Sequence, residues 1–182
     1  EDPADVKEAL EETSFVSLKD KVKAILGGRV SDVRESKTLV GSPARLVSDD
    51  DSQNRHMYRI NRLLDKDYEL PVKTLELNSG HALMHNLSNL LANNGDEKLV
   101  NAVVEQIFET ALLQDGIHPD PSSMADRLTL LMQAATGSSV GDLNFEAAKT
   151  VIAEPEVPEP IAEGGGFGDI EDAEFTEIDE SE

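Results

Sequence analysis

Helical spacing opens the chain and strand spacing follows it. Leu18, Val22 and Ile25 fall on one face of a helix that is strongest over residues 18–26, and Gly27-Gly28 stops it. Asp2-Pro3 supplies an N-cap and a first-turn proline, so residues 1–17 read as a leading helical segment. Residues 30–36 and 44–48 read as strands on either side of a Gly41-Ser42-Pro43 turn. The polar run Asp49-Asp50-Asp51-Ser52 offers N-cap residues to a helix over 53–64. Residues 72–77 alternate Val72, Thr74 and Glu76 against Lys73, Leu75 and Leu77, which predicts a third short strand behind Pro71. Helical patterns return at 82–91, 96–113 and 122–135, separated by Asn93-Asn94-Gly95 and by residues 115–121. The predicted class is α+β: a small three-stranded mixed sheet with helices, then a late helical pair.

That late pair is apolar on more than one side. In 96–113, Val100, Val104, Ile107 and Ala111 make one stripe, and Leu99, Val103 and Phe108 widen it. In 122–135, Met124, Leu128, Leu131 and Ala135 make a stripe, with Leu130 and Met132 outside it. A helix apolar around so much of its circumference needs more than one neighbour. The pattern leaves two arrangements open: a pair buried centrally in one domain, or a pair with one face on its own domain and the other on a second copy. A two-fold four-helix bundle would satisfy the latter.

Charge separates the end of the chain from the rest. The formal net charge is −21, from 37 acidic and 16 basic residues. Residues 151–182 hold 12 acidic and no basic residues. Such a surface repels phosphate and argues against nucleic acid as a partner. Pro155, Pro158 and Pro160 alternate with glutamate, and Gly164-Gly165-Gly166 follows; 145–152 has room for one more helical turn or two. Residues 138–182 therefore read as a disordered acidic tail and 18–137 as the domain. The chain has no cysteine, which excludes disulfides and thiolate chemistry and fits a reducing cytoplasm. No apolar run approaches the ~20 residues of a membrane helix, so no membrane partner is expected. The first residue is Glu1 rather than Met, which reads as a piece of a longer chain.

Few residues offer chemistry. His81 and His85 stand four apart, a spacing that can place two imidazoles on one metal, but Ala82 occupies the position where a zinc protease needs glutamate. The expectation is surface or capping histidines, no metal and no catalytic residue. Gly164-Gly165-Gly166-Phe167-Gly168 lacks the flanking strand and helix of a phosphate cradle and reads as linker. The helix over 53–64 carries an apolar stripe of Met57, Ile60 and Leu64 and a basic stripe of Arg55, Arg59 and Arg62. That stripe either packs on the sheet or stays open to partners.

The ordered set of local words resembles one family. Leu18-Lys19-Asp20-Lys21-Val22-Lys23, Val30-Ser31-Asp32-Val33-Arg34, Gly41-Ser42-Pro43-Ala44-Arg45-Leu46-Val47, Leu75-Glu76-Leu77-Asn78 with His81, and the two long helices are similar to the heat-shock protein 90 chaperones of bacterial HtpG type. The resemblance covers residues 18–135. It implies a C-terminal dimerisation domain that pairs through 96–113 and 122–135, with a homodimer interface at Leu99, Val103, Val104, Ile107, Ala111, Leu112, Leu128, Leu131, Met132 and Ala135. It implies that ATP and magnesium bind in an N-terminal domain outside this chain, so no cofactor is expected here. It implies that the 53–64 helix contacts unfolded clients through Met57, Ile60 and Leu64. The competing reading is a monomeric binding module that docks through the cationic helix or the acidic tail.

Overall fold

A computed structural model of the protein describes residues 8–48, 71–146, 148, 152 and 154. Helix α1 (Glu12–Leu26) leads through a 3-10 turn, Gly27–Arg29, into strand β1 (Val30–Glu35). Strands β2 (Ala44–Val47) and β3 (Lys73–Leu77) complete the sheet, and helices α2 (Ala82–Ala92), α3 (Glu97–Asp115) and α4 (Ala125–Ala135) follow. The sheet order is β1-β3-β2, with β1 parallel and β2 antiparallel to the central β3. The fold is α+β with a three-stranded mixed sheet, as the pattern predicts.

One face of the sheet carries the core. Val30, Val33, Ala44, Leu75 and Leu77 meet Phe15, Leu18, Val22 and Leu26 of α1, Met84 and Leu87 of α2, and Val100, Val104, Ile107, Phe108, Ala111 and Leu112 of α3. Helix α1 begins at Glu12 and buries Phe15, while Leu10 packs against the same core. The boundary expected at residue 18 therefore falls inside a packed helix. The buried stripe of α1 also ends on Leu26 rather than Ile25, because the 15, 18, 22, 26 row keeps to one face. Gly27 then takes φ +56°, a backbone turn that favours glycine, and it faces the Glu154 carboxylate.

Two strands depart from simple alternation. In β1, Val30 and Val33 both point into the core although they are three residues apart, because the register with β3 shifts between them. All five residues of β3 are buried, not just alternate ones. A central strand is covered on both sides, and its polar members are matched individually. Lys73 pairs with Asp115 at the end of α3. Thr74 exchanges a hydroxyl contact with Ser31 at 3.0 Å. Glu76 takes Arg34 at 3.0 Å, Arg45 at 2.6 Å and the Ser36 hydroxyl at 3.1 Å. Burial pushes the Glu76 carboxyl up, but the hydrogen bonds from Arg45, Ser36 and Arg34 outweigh it and hold the group below its ordinary value.

The Ser-Pro turn and the Asn78 turn lock the sheet's end. Asn78 N–H donates to the Pro43 carbonyl at 2.9 Å and its side-chain amide to the Ser42 carbonyl at 3.2 Å. These two short words, 36 residues apart, thus meet in space.

Candidate functional site: the late helical pair

Each helix of the pair is begun and ended by local chemistry. Asp96 caps α3, accepting from Lys98 N at 2.9 Å and Leu99 N at 3.2 Å. Gly116 closes it with a left-handed φ of 75° and donates back to Leu112 and Leu113. Asp120 then accepts from Ser122 and starts the 3-10 turn Pro121–Met124 that leads into α4. The Ser122 side-chain bond, aided by backbone bonds from Ser122 and Ser123 and the charge of His118, holds the Asp120 carboxyl below its ordinary range.

The contact between the two helices is charged at its centre. Arg127 is the one fully buried residue within α4, at 2% exposure. Its guanidinium binds Glu109 of α3, and His118 Nε2 reaches the same carboxylate at 3.3 Å. Arg127 Nε also donates to Gln106 at 3.3 Å. Glu109 and His118 are each 1% exposed. Burying charge is tolerated only when it is paired and hydrogen-bonded, so this cluster fixes how α4 sits on α3. A second pair, Arg29 with Glu105 at 2.6 Å, lies over the Phe108 ring at 5.6 Å and ties α3 to the end of α1.

The residues assigned to an interface divide into three groups. Val104, Ile107, Ala111 and Leu112 are buried in the chain's own core, so a second copy cannot reach them in this arrangement. Leu99, Val103 and Leu131 are partly buried. Leu128, Met132 and Ala135 are exposed on one face of α4, Leu128 at 40% and Met132 at 59%, and Leu113 of α3 is exposed at 46%. The stripe expected on α4 therefore splits: Met124 goes inward, Leu128 and Ala135 outward. Arg127, one position before Leu128, takes the inward place.

The chain does not stop packing at residue 137. Leu143 and Phe145 are buried against Ala102, with Leu99, Leu130, Leu131, Ala134 and Val140 packed around them. Ile152 enters the main core, and its carbonyl accepts from Arg29 at 3.5 Å. The tail expected from residue 138 is thus packed at these positions, because isolated apolar side chains find a helix face that lacks cover.

The two spaced histidines have separate structural roles. His81 caps α2, its Nδ1 accepting from Leu83 N at 3.1 Å, while His85 Nε2 meets the Glu8 carbonyl at 2.9 Å. Among the described residues, no group of three or more His, Cys, Asp or Glu side chains is gathered in the manner of metal ligands. Among the same residues no helix is long and apolar enough to cross a membrane. Met57, Ile60 and Leu64 lie outside the described residues.

A family model described as Hsp90 protein matches residues 1–159. The chain belongs to the Hsp90 family. It is similar to the chaperone protein HtpG of Oleidesulfovibrio alaskensis, at 39% identity over 73% of this chain and 21% of the relative. HtpG of Nitratidesulfovibrio vulgaris is 36% identical over 68% of this chain and 19% of the relative. HtpG of Chlorobaculum tepidum is 35% identical over 72% of this chain and 21% of the relative. The chain thus spans about a fifth of the length of these HtpG chaperones.

Sequence reasoning missed Glu109 and Arg127. A signal was present: each is a charged residue set inside an apolar arc, Glu109 between Phe108 and Ala111, and Arg127 between Met124 and Leu131. Charged residues are almost never buried alone, so two such intruders of opposite sign on successive helices point to each other.

Proposed function

We propose that this chain is the C-terminal dimerisation domain of a chaperone, pairing with a second copy through α3 and α4 and so tethering two protomers. The observation that carries this reading is the apolar face of α4: Leu128 and Met132 stand one turn apart at 40% and 59% exposure on a helix that fully buries only an arginine. Exposed apolar surface of this kind is normally covered by a partner. A self-complementary patch paired about a two-fold axis covers both copies at once. Tethering makes later contacts between other parts of the two protomers effectively intramolecular, at mM-scale effective concentration for a short flexible link. That role needs no catalytic residue and no ATP or magnesium site in this chain.

Molar mass by light scattering at micromolar concentration tests the pairing. The expected mass is twice that of the 19.8 kDa chain. Leu128→Glu with Met132→Glu is expected to give folded monomers, since two buried charges per copy have no partner in the interface. A monomeric unaltered chain, or a double variant that still pairs, would sink the assignment.

Client contact belongs to the same reading. The Met57, Ile60 and Leu64 stripe is amphipathic within a cationic helix pattern, and methionine adapts to varied surfaces. Met57→Ser with Ile60→Ser is expected to weaken suppression of client aggregation by the full-length protein without lowering its melting temperature. A large drop in that temperature would assign the stripe to the core instead.

A further inference from the structure

The segment after α4 turns back and lies on the helical pair. Leu143 and Phe145, at 9% and 7% exposure, sit with Ala102 of α3 and are flanked by Leu99, Leu130, Leu131 and Ala134. Beyond them Ile152 is held in the main core and Glu154 reaches Gly27. The described residues of this strap thus pack at two places: Leu143 and Phe145 on the helical pair, and Ile152 and Glu154 near the end of α1.

Two properties of this face matter. Its cover is incomplete, because Leu99, Leu130, Leu131 and Ala134 remain partly exposed beneath the strap. It is also continuous with the open face: Leu131 under the strap is followed directly by Met132, and Leu128 lies one turn before. The apolar surface of α4 thus wraps from strap to solvent without a polar break at Leu130-Leu131-Met132.

We infer that residues 140–145 are a cis cover for part of the pairing surface, and that a second copy of this chain displaces them as its own α3 and α4 seat on Leu99 and Leu131. This rests on the pairing reading above. A side chain such as Leu131 cannot be covered by Phe145 and by a partner helix at once. The strap is tethered, so it competes at an effective concentration on the mM scale, and pairing becomes correspondingly weaker than the bare helices would allow. Ile152 and its Arg29 contact keep the displaced segment attached, ready to return when the copies part.

The test uses the full chain. Leu143→Ser with Phe145→Ser removes the strap's apolar grip and leaves α3 and α4 unaltered. Sedimentation velocity over a dilution series is expected to show a dimer dissociation constant lowered at least tenfold, because two apolar anchors contribute more than the free energy of one decade and both copies release a strap. A constant unchanged or raised overturns the inference. The second arm exploits the absence of native cysteine. Ala102→Cys with Phe145→Cys is expected to form a disulfide, confirmed by mass, that locks the strap down. The oxidised protein should then run as a monomer and regain pairing on reduction. An oxidised form that pairs as well as the reduced one, or a disulfide that does not form, also overturns it. If the unaltered chain and the double-serine variant are both monomeric at every concentration, the pairing reading itself fails. If dimers form with an unaffected constant, only the strap's role fails.

Discussion

Around Leu18, Leu75 and Leu77 the side chains have 0% exposure, whereas α4 leaves Leu128 at 40% and Met132 at 59%. The sheet and its helices form a closed core in which each apolar row meets another. The helical pair is joined by a buried ion pair and keeps apolar surface to spare. Apolar packing is indifferent to direction, so it closes the first region without needing a particular partner. The Glu109–Arg127 contact is directional and costly to misplace, so it orients the second region while leaving its apolar side chains for other contacts.

The largest effect that would sharpen this contrast comes from the ion pair. Arg127→Met leaves Glu109 at 1% exposure without its guanidinium, and breaking a buried pair costs about 3–5 kcal/mol. Glu109 already has one carboxylate oxygen, Oε1, with no hydrogen-bond partner among the described residues, so little is left to absorb the loss. Glu109→Leu with Arg127→Met is expected to recover part of that, because it removes the stranded carboxylate, while His118 and Gln106 each lose one contact. Urea midpoints measure both. A single variant as stable as the parent would mean the charges do not control how α4 docks. The double variant regains stability relative to the single one yet loses direction, so its pairing is expected to weaken.

A smaller effect separates the two regions by burial alone. Leu18→Ala opens a cavity at a position with 0% exposure and is expected to cost about 2–5 kcal/mol. Leu128→Ala removes the same atoms from a side chain 40% exposed and is expected to cost less than about 1 kcal/mol in the monomer. The two are compared by melting at a concentration low enough to keep the chain unpaired. Equal losses would erase the distinction between closed core and open face.

Much of this architecture is legible from local pattern. The three strands, α1 through Gly27 and the capped α3 all follow from spacing, turn residues and cap chemistry that act within a few positions. What escapes is set by distant partners. β3 reads as half-polar because its sequence alternates, yet Lys73 meets Asp115 and Glu76 meets Arg45, 42 and 31 residues away. The stripe through Ile107 and Ala111 reads equally as core or as a surface for a second copy, and both side chains are buried in this chain's own core. The strap escapes for a different reason: residues 143–152 allow a helical turn or two at most, and so short a pattern does not say where Leu143, Phe145 and Ile152 pack. Only the uncovered face on α3 and α4 gives them a place.

The smallest effect tests whether the sheet's closure also has a polar component. Glu76 is 7% exposed and is shared by Arg34 and Arg45, whose side chains are 46% and 42% exposed. Its folded pKa lies below its unfolded value, so the stability it adds is complete above the unfolded pKa and drains away as pH falls through the folded one. The loss is therefore confined to acid, below about pH 4.5. Exposed arginine partners are screened by water, which limits the contribution to about 1 kcal/mol. Glu76→Gln is expected to lower the urea midpoint slightly at pH 7 and to remove part of the acid sensitivity between pH ~5 and ~3. High salt should weaken the parent more than this variant, because the interaction is partly exposed. If parent and variant lose stability in parallel down to pH ~3, Glu76 plays no electrostatic part, and the sheet end is held by apolar packing alone.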